Sequence, residues 1–166
     1  MPPHSAGLLL YRRRPHGLEV LLVHPGGPFW AHRDLGAWSI PKGEVAPHED
    51  PLSAARREVA EELGVAVIGD VLPLRPITQR SGKVVLAWAV ETDWDPARLK
   101  SNTVQVEWPR GSGRVQEVPE VDRAVWFPLP EAQQRILPSQ VALLDQLEAV
   151  VGGTEPWKAT APKDSA

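Results

Sequence analysis

Residues Asp50 to Gly64, D-P-L-S-A-A-R-R-E-V-A-E-E-L-G, spell out one helix from cap to cap, and the rest of the chain must be arranged around it. Asp50 can cap the N-terminus, Pro51 suits the first turn, where its missing N–H costs nothing, and Gly64 suits a left-handed C-terminal stop. Leu52, Ala55, Val59 and Leu63 recur every three or four residues, so one apolar stripe has to dock on another layer. Glu58, Glu61 and Glu62 stand at i, i+3 and i+4 and project from one side of the helix within reach of one another. Their mutual repulsion costs a few tenths of a kcal/mol per exposed pair, roughly, and more in a cleft, so the comb asks for a cation. Oxygen donors without thiols favour Mg2+, with Mn2+ as the alternative; both also bind phosphate oxygens. An isolated E-x-x-E-E would read as a solvated helix face.

Around this helix the pattern is mostly β. Ser5 to Tyr11 and Leu18 to His24 are apolar runs separated by a turn-rich segment and read as a hairpin, with Arg12, Arg13 and Arg14 in a solvated turn with Pro15, His16 and Gly17. Pro25 to Phe29 breaks regular structure, and Gly36 to Ile40 forms a short extended stretch ending at Pro41. Val65 to Leu72, Lys83 to Thr92 and Ala124 to Phe127 read as strands, and Thr103 to Trp108 as a strand or extended loop. A second helix falls between Ser139 and Val151, with Val141, Leu144, Leu147 and Val151 on one face and Gly152 and Gly153 ending it. The expected fold class is α/β, a mixed β-sheet sandwiched between α-helices. Residues 1–152 make one domain, and 153–166, small, polar and proline-containing, a mobile tail.

A chain of 166 residues supports one buried core. With 42% hydrophobic and 23% charged residues and a net charge of -3, it has no general basic field, so specific DNA or RNA binding is not expected and any anion is bound locally. The absence of cysteine excludes thiolate zinc sites, disulfides and cysteine nucleophiles and fits a cytoplasmic location; the five histidines form no compact metal-ligand pair. No segment approaches membrane-spanning length.

From Gly43 to Val65 the chain resembles the Nudix hydrolase family, whose signature is G-x5-E-x7-R-E-U-x-E-E-x-G-U, with U a bulky aliphatic residue. Gly43, Glu49, Arg57, Glu58, Val59, Glu61, Glu62, Gly64 and Val65 meet every position. With each fixed identity near 7% by composition, a chance match is on the order of one in 10⁸ per starting position. The resemblance implies the Nudix fold and metal-dependent hydrolysis of a phosphoanhydride bond in a nucleoside polyphosphate. It also implies Glu58 and Glu62 as metal ligands, Glu61 as a further ligand or base, and the Gly43 carbonyl as a contributor from the loop. Arg57, with Glu49, becomes a brace that orients a neighbouring glutamate rather than half of a weak surface pair.

The W-S-I-P-K-G-E lead-in, Trp38 to Glu44, resembles the diadenosine tetraphosphate and diphosphoinositol polyphosphate hydrolase branches and sets Lys42 where it can contact a phosphate. S-N-T-V-Q-V-E-W-P and S-G-R-V-Q-E-V-P-E-V-D-R resemble bacterial Nudix proteins described as predicted nucleoside triphosphate pyrophosphohydrolases. The two resemblances imply a nucleoside triphosphate or dinucleoside polyphosphate as the expected substrate, with nucleotide sugars and diphosphoinositol polyphosphates as alternatives. Some Nudix branches take a base from outside the box, and Glu120, then Glu117, are the candidates. Of the seven tryptophans, Trp88 and Trp126 read as structural, while Trp30, near His32 and Arg33, is the ligand-side candidate. The competing class is a nucleotide sensor or protein-interaction module on the same fold, which has no need of every metal carboxylate. The enzyme could be a monomer or a homodimer.

Overall fold

The computed structural model describes residues 4–64 and 66–151. Its centre is a long hairpin, β1 (His4–Arg14) and β2 (Gly17–Pro25), which explains the two apolar runs. In β1, Ala6, Leu8 and Leu10 point to one face and Leu9 and Tyr11 to the other, and all five are buried. A strand covered on both sides needs an unbroken apolar run rather than alternation.

The remaining strands are β3 (Lys42–Glu44), β4 (Leu72–Pro73), β5 (Ile77–Thr78), β6 (Val84–Glu91), β7 (Thr103–Glu107), β8 (Val115–Pro119) and β9 (Val121–Pro128). The main sheet runs β4-β6-β1-β2-β9, with β3 paired to β1 and β5 to β6. Only β1 and β6 are parallel, so the sheet is mixed, as expected. The β7 and β8 strands form a separate two-stranded hairpin.

Helix α1 (Pro51–Leu63) lies on one face, its Ala54, Ala55, Val59 and Leu63 packed with Leu8, Leu10, Leu21 and Val23. Its ends are built as the sequence specifies: the Asp50 carboxylate accepts from the Ser53 N–H at 3.0 Å, and Gly64, at φ 85°, donates to the Ala60 carbonyl at 2.8 Å. A methyl group on Gly64 would lie 2.3 Å from the Lys100 carbonyl, so this position tolerates only glycine on two counts. On the opposite face α2 (Leu129–Arg135) and α3 (Val141–Val151) cover Leu9, Val20 and Leu22 with Leu129, Ala132, Leu143, Leu144 and Leu147.

Several local expectations change. Of the described residues in the expected strand Val65 to Leu72, only Leu72 joins a strand, because residues 66–71 lie mostly exposed outside the sheet. The Gly36 to Ile40 stretch reduces to bridges at Trp38 and Ser39, and the short strand comes later, at Lys42–Glu44. Strand pairing continues to Arg14, where Arg13 meets Glu91 at the end of β6 and Arg12 and Arg14 meet Asp93 just beyond it, so the arginines lie on β1 and form ion pairs while the turn itself is Pro15 and His16. Helix α2 carries no helix signal in the sequence, because Pro128 and Pro130 flank its start and it has no side-chain cap. The second helix begins two residues after Ser139, behind a 3₁₀ turn at Pro138–Gln140. Both Gly152 and Gly153 and the expected tail lie outside the described residues. No helix among the described residues is long and apolar enough to cross a membrane.

Losing the Asp50 cap should cost about 1 kcal/mol. Asp50→Ala is therefore expected to lower Tm by about 2–4 °C with the urea m-value unchanged; an unaltered Tm would show that the cap contributes nothing.

Candidate active site

A cleft of about 550 Å³ opens where β3, α1 and the β8–β9 junction meet, and Lys42, Gly43, Glu44, Glu58, Glu62 and Glu120 line it. Pairing with β1 in the register Gly7↔Lys42, Ala6↔Gly43 and Ser5↔Glu44 fixes the short β3 strand. A Cβ on Gly7 would lie 2.4 Å from the Pro41 carbonyl, and one on Gly43 would lie 1.9 Å from Glu58 Oε1. Both glycines thus permit backbone approach, the second directly against a carboxylate.

The three helix glutamates occupy different environments. Glu58 is mostly buried, and its Oε2 accepts from Arg57 Nη1 at 2.8 Å; Glu61 is 45% exposed and lies 3.3 Å from the same nitrogen. Arg57 also grips Glu49 bidentately, at 2.8 and 2.9 Å, and donates to the Glu44 carbonyl at 3.1 Å. This guanidinium ties the loop before α1 to the carboxylates on it and pulls the Glu49 carboxyl down to about 2. Glu62 turns inward and is 6% exposed, and its Oε1 has no hydrogen-bond partner.

The expected comb therefore does not converge: among the described residues no three His, Asp or Glu side chains form a ready-made metal cage. Like charges separate, and Arg57 takes up two of them. The donor set nevertheless fits a hard divalent ion. Glu58, Glu62 and Glu120 present oxygens to one cleft beside Gly43, and the unpartnered buried Glu62 Oε1 is a group that a cation satisfies.

Burial pushes the Glu62 carboxyl up to about 9, helped by the charge on Glu120. Burial also raises the Glu120 carboxyl, as do the charges of Glu58 and Glu61, while a hydrogen bond from Asn102 opposes them. The backbone of Glu120 is held on both sides: its carbonyl accepts from Gly26 and its N–H donates to the Asn102 carbonyl, at 3.0 and 2.9 Å. Lys42 faces Glu62 and Glu120, and burial lowers its ammonium pKa.

Trp30 reaches the cleft wall. The structure does not bring Arg33 there; its guanidinium lies over Phe29, and its carbonyl faces the buried His24 ring at 2.7 Å. Glu117 points away and accepts from the Thr103 hydroxyl. Trp88 and Trp126 pack against the α1-side core. Sequence reasoning passed over Glu44 and Lys83, whose Nζ and carboxylate lie 3.4 Å apart at the cleft edge. Glu44 could have been suspected from its place after P-K-G. Lys83 carries no local signal; it arrives because β6 runs parallel to β1 with His4 opposite Val84.

A carboxyl with a raised folded-state pKa favours folding only while protonated. With metal chelated, the protein should therefore lose stability as pH rises from about 4.5 toward about 9. Glu62→Gln removes that dependence, and its Tm should exceed that of the parent at pH 8–9 by the equivalent of about 1–3 kcal/mol, the usual cost of an unpaired buried polar group. Melting curves across pH in chelator measure this; parallel curves for the two proteins would contradict it.

The NUDIX domain model matches residues 1–147. The chain is similar to an RNA pyrophosphohydrolase of Halorhodospira halophila, 31% identical over 71% of this chain and 70% of that one. A similar enzyme of Rhodospirillum rubrum is 39% identical over a shorter stretch, 38% of each chain. Among solved structures, a Caenorhabditis elegans Ap4A hydrolase binary complex superposes with a TM-score of 0.59 at 24% identity, over 87% of this chain and 96% of that one, a likeness of fold. Taken with the unbroken signature from Gly43 onward and a mixed sheet covered on both faces, the match along most of its length places this chain in the NUDIX domain family of hydrolases.

Proposed function

We propose that the chain hydrolyses a phosphoanhydride bond of a nucleoside 5′-polyphosphate with Mg2+ as the working ion and Mn2+ as a substitute. The observation that carries this reading is the buried Glu62 carboxylate, whose Oε1 has no hydrogen-bond partner, in the same cleft as Glu58, Glu120 and Lys42. A sensor has no use for so costly a group, whereas an ion-dependent hydrolase does.

Glu58, Glu62 and the Gly43 carbonyl would hold the ion, whereas Glu61, outside the cleft and beside Arg57, would not reach it; bound there, the ion would neutralise phosphate charge and acidify a water. Arg57 fixes the Glu58 carboxylate and keeps the loop at Glu49 in register with the helix. Lys42 adds a positive charge for a phosphate oxygen at the cleft floor, and Lys83, at the edge, a second. Glu120 is the general base. It lines the cleft, which Glu61 does not, and burial raises its pKa from the ordinary carboxylate value, the direction that makes a stronger base.

Substrates in view are nucleoside triphosphates and dinucleoside polyphosphates. The similarity to RNA pyrophosphohydrolases over most of the chain favours a second reading, in which the triphosphate is the 5′ end of an RNA. Cytoplasmic location and a monomeric or homodimeric state belong to the same proposal.

The test is product analysis with Mg2+ across ATP, GTP, diadenosine tetraphosphate and a 5′-triphosphorylated oligoribonucleotide. Metal-dependent release of phosphate or pyrophosphate from at least one is expected, abolished by chelator. Glu120→Gln should reduce kcat by about 10²–10⁴ and Glu62→Gln should leave no measurable turnover. Binding without turnover across the whole panel would favour a sensor.

A further inference from the structure

Between the 3₁₀ turn at Pro96–Arg98 and β7 the chain runs as a short strap, Lys100, Ser101 and Asn102, with no regular structure of its own. The strap holds the end of α1: the Lys100 N–H donates to the Leu63 carbonyl at 2.9 Å and the Asn102 N–H to the Glu61 carbonyl at 3.1 Å. Both carbonyls belong to the last helical turn, which leaves them without an intrahelical partner, and they flank Glu62 in the chain. The strap also holds the entry to β9. The Asn102 carbonyl accepts from the Glu120 N–H at 2.9 Å, and the half-buried Ser101 hydroxyl accepts from the Val121 N–H at 3.0 Å while donating to that same carbonyl at 2.7 Å.

We propose that Ser101 is a positioning residue for the reaction: its hydroxyl ties the junction before β9 to the end of α1 and so sets Glu120 relative to Glu62, an inference that rests on the hydrolase reading above. Three observations support it. A helix stop needs only the two bonds to α1, whereas the second pair of bonds reaches the peptide N–H groups of Glu120 and of the residue after it. The sheet gives Glu120 little help, because β9 is separated from β1 by β2 and its register with β2 shifts between His24 and Pro25, the residues opposite Arg123 and Val121. The strap is the short route between the two carboxylates, since the alternative path runs from α1 through β1 and β2 to β9. Within it the Ser101 hydroxyl is the one side-chain group that joins two backbone partners, and the Asn102 amide adds a hydrogen bond to the Glu120 carboxyl. The opening of the S-N-T-V-Q-V-E-W-P segment thereby acquires a role at the site.

The test reads the strap with and without turnover. In full-length protein with metal chelated, Ser101→Ala should speed hydrogen exchange at the Glu120 and Val121 amides about tenfold and leave the amides of β1 and β6 at the parental rate. With Mg2+ and the nucleotide that the parent hydrolyses, the same variant should lower kcat by about 10–10²-fold with KM changed by less than about twofold; Ser101→Thr, which keeps the hydroxyl, should restore kcat. In a Glu120→Gln background Ser101→Ala should remove no further activity, because a residue that works through Glu120 then has nothing left to position. Parental exchange at both amides, parental kcat in Ser101→Ala, or the full loss repeated in the Glu120→Gln background would overturn the inference. Should Ser101→Ala fail to fold, Asn102→Ala, which removes only the amide that reaches Glu120, gives the same kinetic readouts. A parent that turns over no nucleotide, with exchange at Glu120 still governed by Ser101, would strike the hydrolase reading alone.

Discussion

A carboxylate held out of water without a hydrogen-bond partner on one oxygen is the constraint from which the rest of this structure follows. Glu62 sits on the buried side of α1, where apolar neighbours would serve stability better, and its burial raises its own proton affinity. Lys42 faces it from β3, Glu120 from the β8–β9 junction, and the cleft supplies the opening.

Holding such a group requires a rigid frame, and the frame is assembled from close backbone approaches. Gly7 lets β3 press on β1, and Gly43 lets β3 press on Glu58. The Arg57 guanidinium spans Glu49, Glu58, Glu61 and the Glu44 carbonyl, joining loop, strand and helix through one planar group. An ammonium could make some of these contacts but not the fork to Glu49. Behind them, α1 packs Ala54, Ala55, Val59 and Leu63 against the sheet.

The cleft and the surface beside it differ in polarity. Charge gathers where β3, α1 and Glu120 meet, and apolar surface gathers where the Pro25–Trp30 loop meets the β7–β8 hairpin. Both regions depend on Glu120, whose backbone is pinned to Gly26 on one side and Asn102 on the other, so the loop, the hairpin and the candidate base are positioned together. His24, fully buried between the Asp122 carboxylate and the Arg33 carbonyl, fastens the far end of that loop to the sheet.

The amino-acid order alone determined whatever depends on spacing within a few residues. The caps of α1, its apolar stripe, the i, i+3, i+4 glutamates and the bidentate potential of Arg57 toward Glu49 were readable there, because helical geometry converts sequence separation into direction. The buried runs of β1 and β2 were readable for the same reason. Tertiary structure decided what depends on which strands become neighbours. It turned Glu62 inward and left Glu61 in solvent, took Arg33 off the cleft, brought Lys83 in beside Glu44 through parallel pairing of β6 with β1, and set Phe29 against Trp108 from 79 positions away. None of those outcomes has a period or a motif, since burial and long-range proximity are properties of the assembled fold and not of any stretch of chain.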